Sequence, residues 1–234
     1  MGLITERQDR GGYCEAALAG APADEAGAGN AVLHRRSPLA TRRSVLYVLC
    51  DQDAFVAEDL VTWYTERGFH FYVADLREGK PSRQDWFGKL DAASRQLRDG
   101  DGIEMIVVSG HAAGAVTAAL WCDARRESGV ADALILCGPL LARRLRRGLD
   151  IDCPVLVLSP SGGQAGSKRR AAAVSLRRRG DGAVRLGAHV TWLLLDAGLP
   201  GQAPDTGDGR RRFFDEMGRW LGAYMYGNLR DQLL

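Results

Sequence analysis

The chain has 234 residues, of which 46% are hydrophobic, and its 31 basic and 29 acidic side chains give a formal net charge of +2. This length predicts one domain, and the near balance of charge provides no global field that would attract nucleic acid or a membrane. The cysteines are odd in number and form no C-x-x-C pair, which argues against a disulfide framework or a zinc site. Because no apolar run approaches the ~20 residues of a membrane span, we expect a cytoplasmic protein with free thiols.

The chain order of the predicted elements is a hairpin followed by alternating strands and helices. Residues 1–12 are polar and expected to be frayed, and residues 13–234 are predicted to form the single domain. Two short strands, residues 13–19 and 31–36, flank a small flexible segment that suits a hairpin loop. Strands then follow at residues 44–50, 69–74, 103–109, 132–137, 154–159 and 190–195. Helices are predicted at residues 55–67, 82–98, 112–127, 140–147 and 211–226.

Four of these strands are continuous apolar runs: VLYVL, MIVV, ALIL and VLVL. Continuous apolar runs that alternate with helices are typical of a parallel sheet that is covered on both faces. Open sheets of this kind bind ligands at the carboxyl ends of their strands. We therefore look for the functional site in the loops that follow the predicted strands.

One of these loops joins the strand at residues 103–109 to the next helix through a Gly-x-x-x-Gly turn, Gly110 to Gly114. A strand, a sharp turn of this kind and a helix form the nucleophile elbow, on which α/β-hydrolases hold a catalytic serine. Here the central position is Ala112, and Ala113 follows it at the start of the helix. A methyl group cannot attack a carbonyl, so the turn keeps the frame of a hydrolase site without its nucleophile.

The chain resembles the α/β-hydrolase superfamily, in particular the serine aminopeptidase-like and monoacylglycerol lipase-like branch seen in actinobacteria. The matching stretches keep their order and spacing: VLYV at 45–48, ERGF at 66–69, FYVADLR at 71–77, VVSGHAAG at 107–114 and CPVLVL at 153–158. The resemblance implies the α/β-hydrolase fold, a mostly parallel central sheet with an N-terminal hairpin and helices on both faces. Relatives insert a lid after the strand matching residues 133–137, and the short connection here implies that this cap domain is absent.

The resemblance also implies where the other catalytic groups of a hydrolase would lie, and this chain departs from the family at each place. Relatives follow the strand matching residues 44–50 with His-Gly, whose backbone helps to bind the oxyanion, but this chain has Leu49 and Cys50 there. Pro200 falls at the position of the catalytic histidine, and Ser175 falls at the position of the acid. The resemblance therefore implies a degenerate catalytic triad.

Four side chains near this edge of the sheet are the candidates for any remaining catalysis: Asp51, Asp53, Cys50 and His111. His111 has an imidazole suited to proton transfer, or it packs beside the turn. Cys50 is a nucleophile if its pKa is lowered, or a small buried filler. Asp51 and Asp53 are acid or base groups if burial raises their pKa, or they cap the next helix. Ser159 ends a strand at the pocket and is expected to form a turn. The other histidines are expected to be structural or solvent-facing: His34, His70 and His189.

Two classes of function remain open. The first is a non-hydrolytic enzyme that promotes cyclisation, cycloaddition, isomerisation or elimination of a polyketide-like natural product by holding it in one reactive conformer. The second is a non-catalytic pseudoenzyme that binds or scaffolds, and residual esterase or lipase activity is a lesser alternative. We expect a small apolar organic ligand, no cofactor, no metal and no membrane partner, and a homodimer stays open. No nucleic-acid partner is expected, because no aromatic side chains interleave with the arginine clusters.

Overall fold

The computed structural model describes residues 7–8, 14–17, 31–50, 58–77, 82–138, 149, 151–160, 190–195 and 207–225. Nine strands lie in these residues, and they belong to one sheet. They are β1 (Arg7–Gln8), β2 (Cys14–Ala17), β3 (Ala31–Arg35), β4 (Arg43–Leu49), β5 (His70–Asp75), β6 (Met105–His111), β7 (Ala133–Cys137), β8 (Val155–Pro160) and β9 (Val190–Leu195). Their order across the sheet is β1-β2-β3-β5-β4-β6-β7-β8-β9.

The sheet has an antiparallel edge and a parallel body. β1 pairs with β2, β2 with β3, and β3 with β5, all antiparallel. From β5 through β4, β6, β7 and β8 to β9, every neighbouring pair is parallel. The predicted hairpin and the predicted parallel sheet are both confirmed, whereas the two-residue strand β1 was not predicted from the sequence.

Four α-helices lie in the described residues: α1 (Glu58–Glu66), α2 (Arg83–Arg95), α3 (Ala113–Ala124) and α4 (Gly207–Met225). Each overlaps a predicted helix, and the predicted helix at residues 140–147 lies outside the described residues. The start of α2 is set by a capping box, because the Ser82 hydroxyl accepts from the Asp85 N–H while the Asp85 carboxylate accepts from the Ser82 N–H.

Alternate residues of the central strand β4 enter two separate cores. Leu46 and Val48 belong to a cluster that includes Leu90 of α2 and Trp121 of α3. Val45, Tyr47 and Leu49 belong to a second cluster that includes residues of the other two helices, among them Val61, Trp63, Met217 and Trp220. Because strand side chains alternate between faces, α2 and α3 cover one face of the sheet and α1 and α4 cover the other. The prediction that helices cover both faces is confirmed.

The connection between β7 and β8 consists of residues 138–154 alone. That length leaves no room for an inserted lid of several dozen residues at this place in the chain. Among the described helices, none is both long enough and apolar enough to cross a bilayer.

Candidate functional site

The turn between β6 and α3 has the backbone of a nucleophile elbow. Ala112 has φ 47° and ψ −111°, and among the described residues it is the one non-glycine with a positive φ. This region of backbone space is sterically costly for a residue with a Cβ atom. The chain therefore keeps the strained bend of an active-site turn although its central side chain is a methyl group.

Two close backbone approaches hold this turn in place. A Cβ atom on Gly110 would lie 2.6 Å from the carbonyl carbon of Gly114, and one on Gly114 would lie 2.1 Å from the carbonyl oxygen of Val48. Both distances are shorter than any van der Waals contact, so these positions accept glycine alone. The Gly-x-x-x-Gly spacing is thus the steric condition for α3 to begin directly against β4.

The elbow places the amino terminus of α3 at the carboxyl edge of the sheet. The Ala112 N–H donates to the Cys137 carbonyl at 2.9 Å, which ties the turn to the end of β7. As the residue before the helix, Ala112 offers no side-chain acceptor to the first N–H groups of α3. These N–H groups have no acceptor inside the helix and carry the positive end of its dipole. The arrangement suits the oxygen of a carbonyl group or an oxyanion.

The predicted candidates Leu49 and Cys50 lie next to the elbow, at the end of β4. Leu49 is 5% exposed, and its carbonyl accepts from the Leu76 N–H at 2.8 Å. Cys50 is half-buried, and its thiol donates to the Thr117 hydroxyl of α3 at 3.4 Å. This contact was not predicted. Thr117 is 6% exposed, and the one sequence signal for it is its place one turn into the helix that follows the elbow.

The thiols of the other described cysteines are poor nucleophiles. Cys122, Cys137 and Cys153 are buried. Burial raises the pKa of Cys122 and raises the pKa of Cys137 and of Cys153 to about 12, so all three remain protonated near neutral pH. Cys50 is therefore the accessible thiol among the four described cysteines whose side chains have a defined environment.

His111 is the last residue of β6 and is half-buried. The parallel register places Gly110 beside Val48 and His111 beside Cys137, so His111 and Leu49 end neighbouring strands at the same edge. The backbone of Ser159 lies in β8, beyond Leu158, which pairs with Cys137. The fold therefore brings His111, Ala112, Ala113, Leu49, Cys50 and Ser159 to one edge of the sheet. Asp51, Asp53, Ser175 and Pro200 lie outside the described residues.

A charged pair at this edge was missed as a candidate. Asp75 ends β5, and its carboxylate accepts from the Arg77 backbone N–H at 3.0 Å and forms an ion pair with the Arg77 guanidinium. Burial alone would raise the pKa of Asp75, but the hydrogen bonds and positive charge of Arg77 outweigh it and lower the pKa. Asp75 is thus held as a carboxylate, which makes it a poor proton donor.

No protein family model matches the sequence, and no curated protein has significant similarity to it. Solved structures do match. The dienelactone hydrolase from Anabaena variabilis ATCC 29413 superposes with a TM-score of 0.64 at 11% identity, over 91% of this chain and 99% of that one. The acetyl ester-xyloside bifunctional hydrolase from Caldicellulosiruptor lactoaceticus gives a TM-score of 0.62 at 14% identity, over 95% and 98%. Est1E from Butyrivibrio proteoclasticus gives 0.61 at 11% identity, over 84% and 94%.

Likeness at such low identity is evidence about architecture, because one fold of this kind carries many chemistries. Two of the three matched proteins are hydrolases by name, and each of the three is covered almost entirely by this chain. With the strand order, the two helical layers and the elbow at Ala112, these matches show that the chain has the α/β-hydrolase fold.

Proposed function

We propose that this protein is a non-hydrolytic enzyme of the α/β-hydrolase fold that acts on a small apolar carbonyl compound, such as a polyketide-like natural product. The reaction would be a cyclisation, cycloaddition, isomerisation or elimination without a covalent intermediate. The observation that carries the proposal is the strained backbone of Ala112, at φ 47° and ψ −111°. The elbow geometry is retained at a cost in strain, although the side chain that it serves in a hydrolase is gone.

The retained geometry has a use that needs no nucleophile. Hydrogen-bond donors that are aimed at a developing negative charge stabilise a transition state whether or not an acyl-enzyme forms. The first N–H groups of α3 would bind the substrate's carbonyl oxygen and stabilise an enolate. Holding a flexible molecule in one reactive conformer contributes several kcal/mol more. His111 and, beyond the described residues, Asp51 and Asp53 are the proposed proton donors and acceptors.

One contact favours the second candidate, a pseudoenzyme that binds such a molecule without converting it. The Cys50 thiol donates to the neutral hydroxyl of Thr117. A thiol is activated by a nearby positive charge or a base, and the Thr117 hydroxyl supplies neither. Under this alternative the elbow would be a binding site for a carbonyl oxygen.

The first test asks whether an acyl-enzyme forms. Wild-type protein and A112S are treated with a fluorophosphonate probe and with p-nitrophenyl acetate. We expect neither protein to be labelled and neither to release nitrophenol above the rate without protein, because a serine also needs a base within hydrogen-bond reach. Labelling of the wild-type protein at a single residue would overturn the proposal in favour of residual hydrolase activity.

The second test separates the enzyme from the pseudoenzyme. The protein is incubated with a poly-β-keto thioester, and the products are followed by mass spectrometry. A cyclised or isomerised product keeps the mass of the substrate, an elimination loses one water, and hydrolysis consumes one water and splits the thioester into a free acid and a thiol. We expect one of the first two, with turnover reduced in H111N. Binding of the thioester without any product, in both the wild type and H111N, would support the pseudoenzyme.

A further inference from the structure

A second concave surface lies at the opposite end of the sheet from the elbow. It is a groove of about 870 Å³ lined by residues 36–43 together with His70, Glu104 and Met105. We call it the arginine groove. It borders the amino-terminal ends of β4, β5 and β6. Since β6 has seven residues and rises about 3.3 Å per residue, roughly 20 Å separate the groove from the elbow, and the two surfaces can be occupied at once.

The groove is positively charged. Arg36, Arg42 and Arg43 line it and are exposed, and Glu104 is the one carboxylate among its lining residues, all of which the structure describes. Arg42 forms an ion pair with Glu104 at 2.5 Å, with both side chains about two-thirds exposed. The lining therefore carries an excess of two positive charges at neutral pH. A basic cleft of this kind attracts acidic ligands and speeds their association.

The groove also carries an apolar contact point. Leu39 is 52% exposed and is the one exposed large hydrophobic residue among those whose exposure is described. It lies between Arg36 and the Arg42–Arg43 pair along the same loop. Arginine is enriched at protein-binding surfaces, and here arginines lie on both sides of an exposed aliphatic side chain.

The loop that presents these side chains is held in one shape. The Ser37 N–H donates to Nδ1 of His70 at 3.0 Å, and Nε2 of the same imidazole lies 3.2 Å from the Thr41 carbonyl, to which it donates. The Ser37 hydroxyl also donates to the Thr65 carbonyl at 2.6 Å. Because both ends of the loop are tied to one side chain, binding there costs little ordering entropy.

We propose that the arginine groove is a docking site for an acidic protein segment that places an apolar side chain against Leu39. The excess charge selects an acidic partner, and Leu39 selects one that also carries a hydrophobic residue. Nucleic acid fits less well, because no Phe, Tyr or Trp lies among the lining residues to stack on a base. The proposal does not depend on the reaction at the elbow.

The experiment uses the full chain and two fluorescein-labelled peptides, one of glutamates with a central leucine and one with alanine in its place. Fluorescence anisotropy at low salt measures their dissociation constants. The variant R36E/R43E reverses two charges and leaves the Arg42–Glu104 pair intact. The control is R211E, which reverses one charge at an exposed position of α4. Arg43 contacts Met225 at the far end of α4, so position 211 lies roughly 21 Å along the helix from that contact.

We expect the leucine peptide to bind the wild type and R211E with dissociation constants within about twofold, and R36E/R43E to bind about tenfold more weakly or worse. L39A should bind both peptides as the wild type binds the alanine peptide. The proposal is overturned by no measurable binding or by an equal loss in R211E. It is also overturned if a single-stranded oligonucleotide displaces the peptide and depends on the same arginines, which would assign the groove to nucleic acid. Circular dichroism confirms that each variant is folded.

Discussion

The carbonyl oxygen of Val48 in β4 lies 2.1 Å from the point that a Cβ atom on Gly114 in α3 would occupy. A backbone oxygen in the central strand of a sheet cannot move aside without breaking strand pairing. The contact therefore fixes how closely α3 approaches the sheet, and with it the direction in which the first N–H groups of the helix point.

This relationship predicts that G114A is strongly destabilising. Inserting a methyl group against an immovable carbonyl should cost about 3 kcal/mol of unfolding free energy or more. The control is G88A in α2, where nothing lies within 4 Å of an added Cβ atom and where alanine should stabilise the helix by up to about 1 kcal/mol. Urea denaturation of both variants measures the difference. Equal stability of G114A and the wild type would show that the close approach does not exist in solution.

The strained elbow predicts that A112G is more stable than the wild type. Glycine adopts positive φ without penalty, so the change removes about 1–3 kcal/mol of strain from the folded state. The greater conformational freedom of glycine in the unfolded chain lowers the free energy of unfolding by about 0.4–1 kcal/mol. The net gain should be on the order of 1 kcal/mol. Ala92 is a helical residue of α2, so A92G should instead lose about 0.5–1 kcal/mol. Denaturation midpoints of the wild type and both variants measure these stability changes. If A112G is destabilised as much as A92G, Ala112 is not strained.

Local sequence patterns predicted most of this fold, because its elements follow strong periodicity. The apolar runs of β4, β6, β7 and β8 could be identified as strands buried on both faces, and the strand, Gly-x-x-x-Gly turn and helix together predicted the elbow. That pattern predicted a sharp turn at Ala112, and the positive φ of this residue is a finding of the structure.

Contacts between distant residues could not be predicted in this way. Cys50 and Thr117 are 67 positions apart, and the pairing of their side chains depends on how α3 crosses β4. β1 and β2 pair through two residues of each strand. A stretch this short cannot show an alternation of apolar and polar residues. Asp75 and Arg77 are close in sequence, but their place at the candidate site depends on where β5 ends in the folded sheet.

The lowered pKa of His70 predicts that the stability of the folded protein depends on pH. Its pKa is lowered chiefly by burial and also by the charge of Arg36, while its hydrogen bond to Thr41 and the charge of Asp101 act in the opposite direction. Protonation of Nδ1 would also replace the acceptor of the Ser37 N–H by a second donor. The His70 imidazole therefore binds a proton more tightly in the unfolded chain than in the folded protein.

The contribution of His70 is fully present above its unfolded pKa of about 6.5. It is lost as the pH falls from there through the lower pKa of the folded state. We expect the stability difference between the wild type and H70Q to shrink over that window, and the His70 ring protons to titrate below about 6.5 by NMR. A ring that titrates at or above that value would contradict the lowered pKa.

Substitution of Asp91 is predicted to lower the stability of the fold, because its carboxylate connects two helices. Its carboxylate accepts from the Trp121 indole N–H at 2.8 Å and from Nε and Nη2 of Arg125 at 3.0 and 2.8 Å, which joins α2 to the end of α3. Trp121 is fully buried, so D91A leaves a buried donor without its acceptor and should cost about 2–3 kcal/mol. D91N keeps an acceptor for the indole and should lose less. D99A, at an exposed aspartate of the turn after α2, should stay within about 0.5 kcal/mol of the wild type. Chemical denaturation of the three variants gives the ranking, and a D91A value no larger than that of D99A would show that this carboxylate does not hold the two helices together.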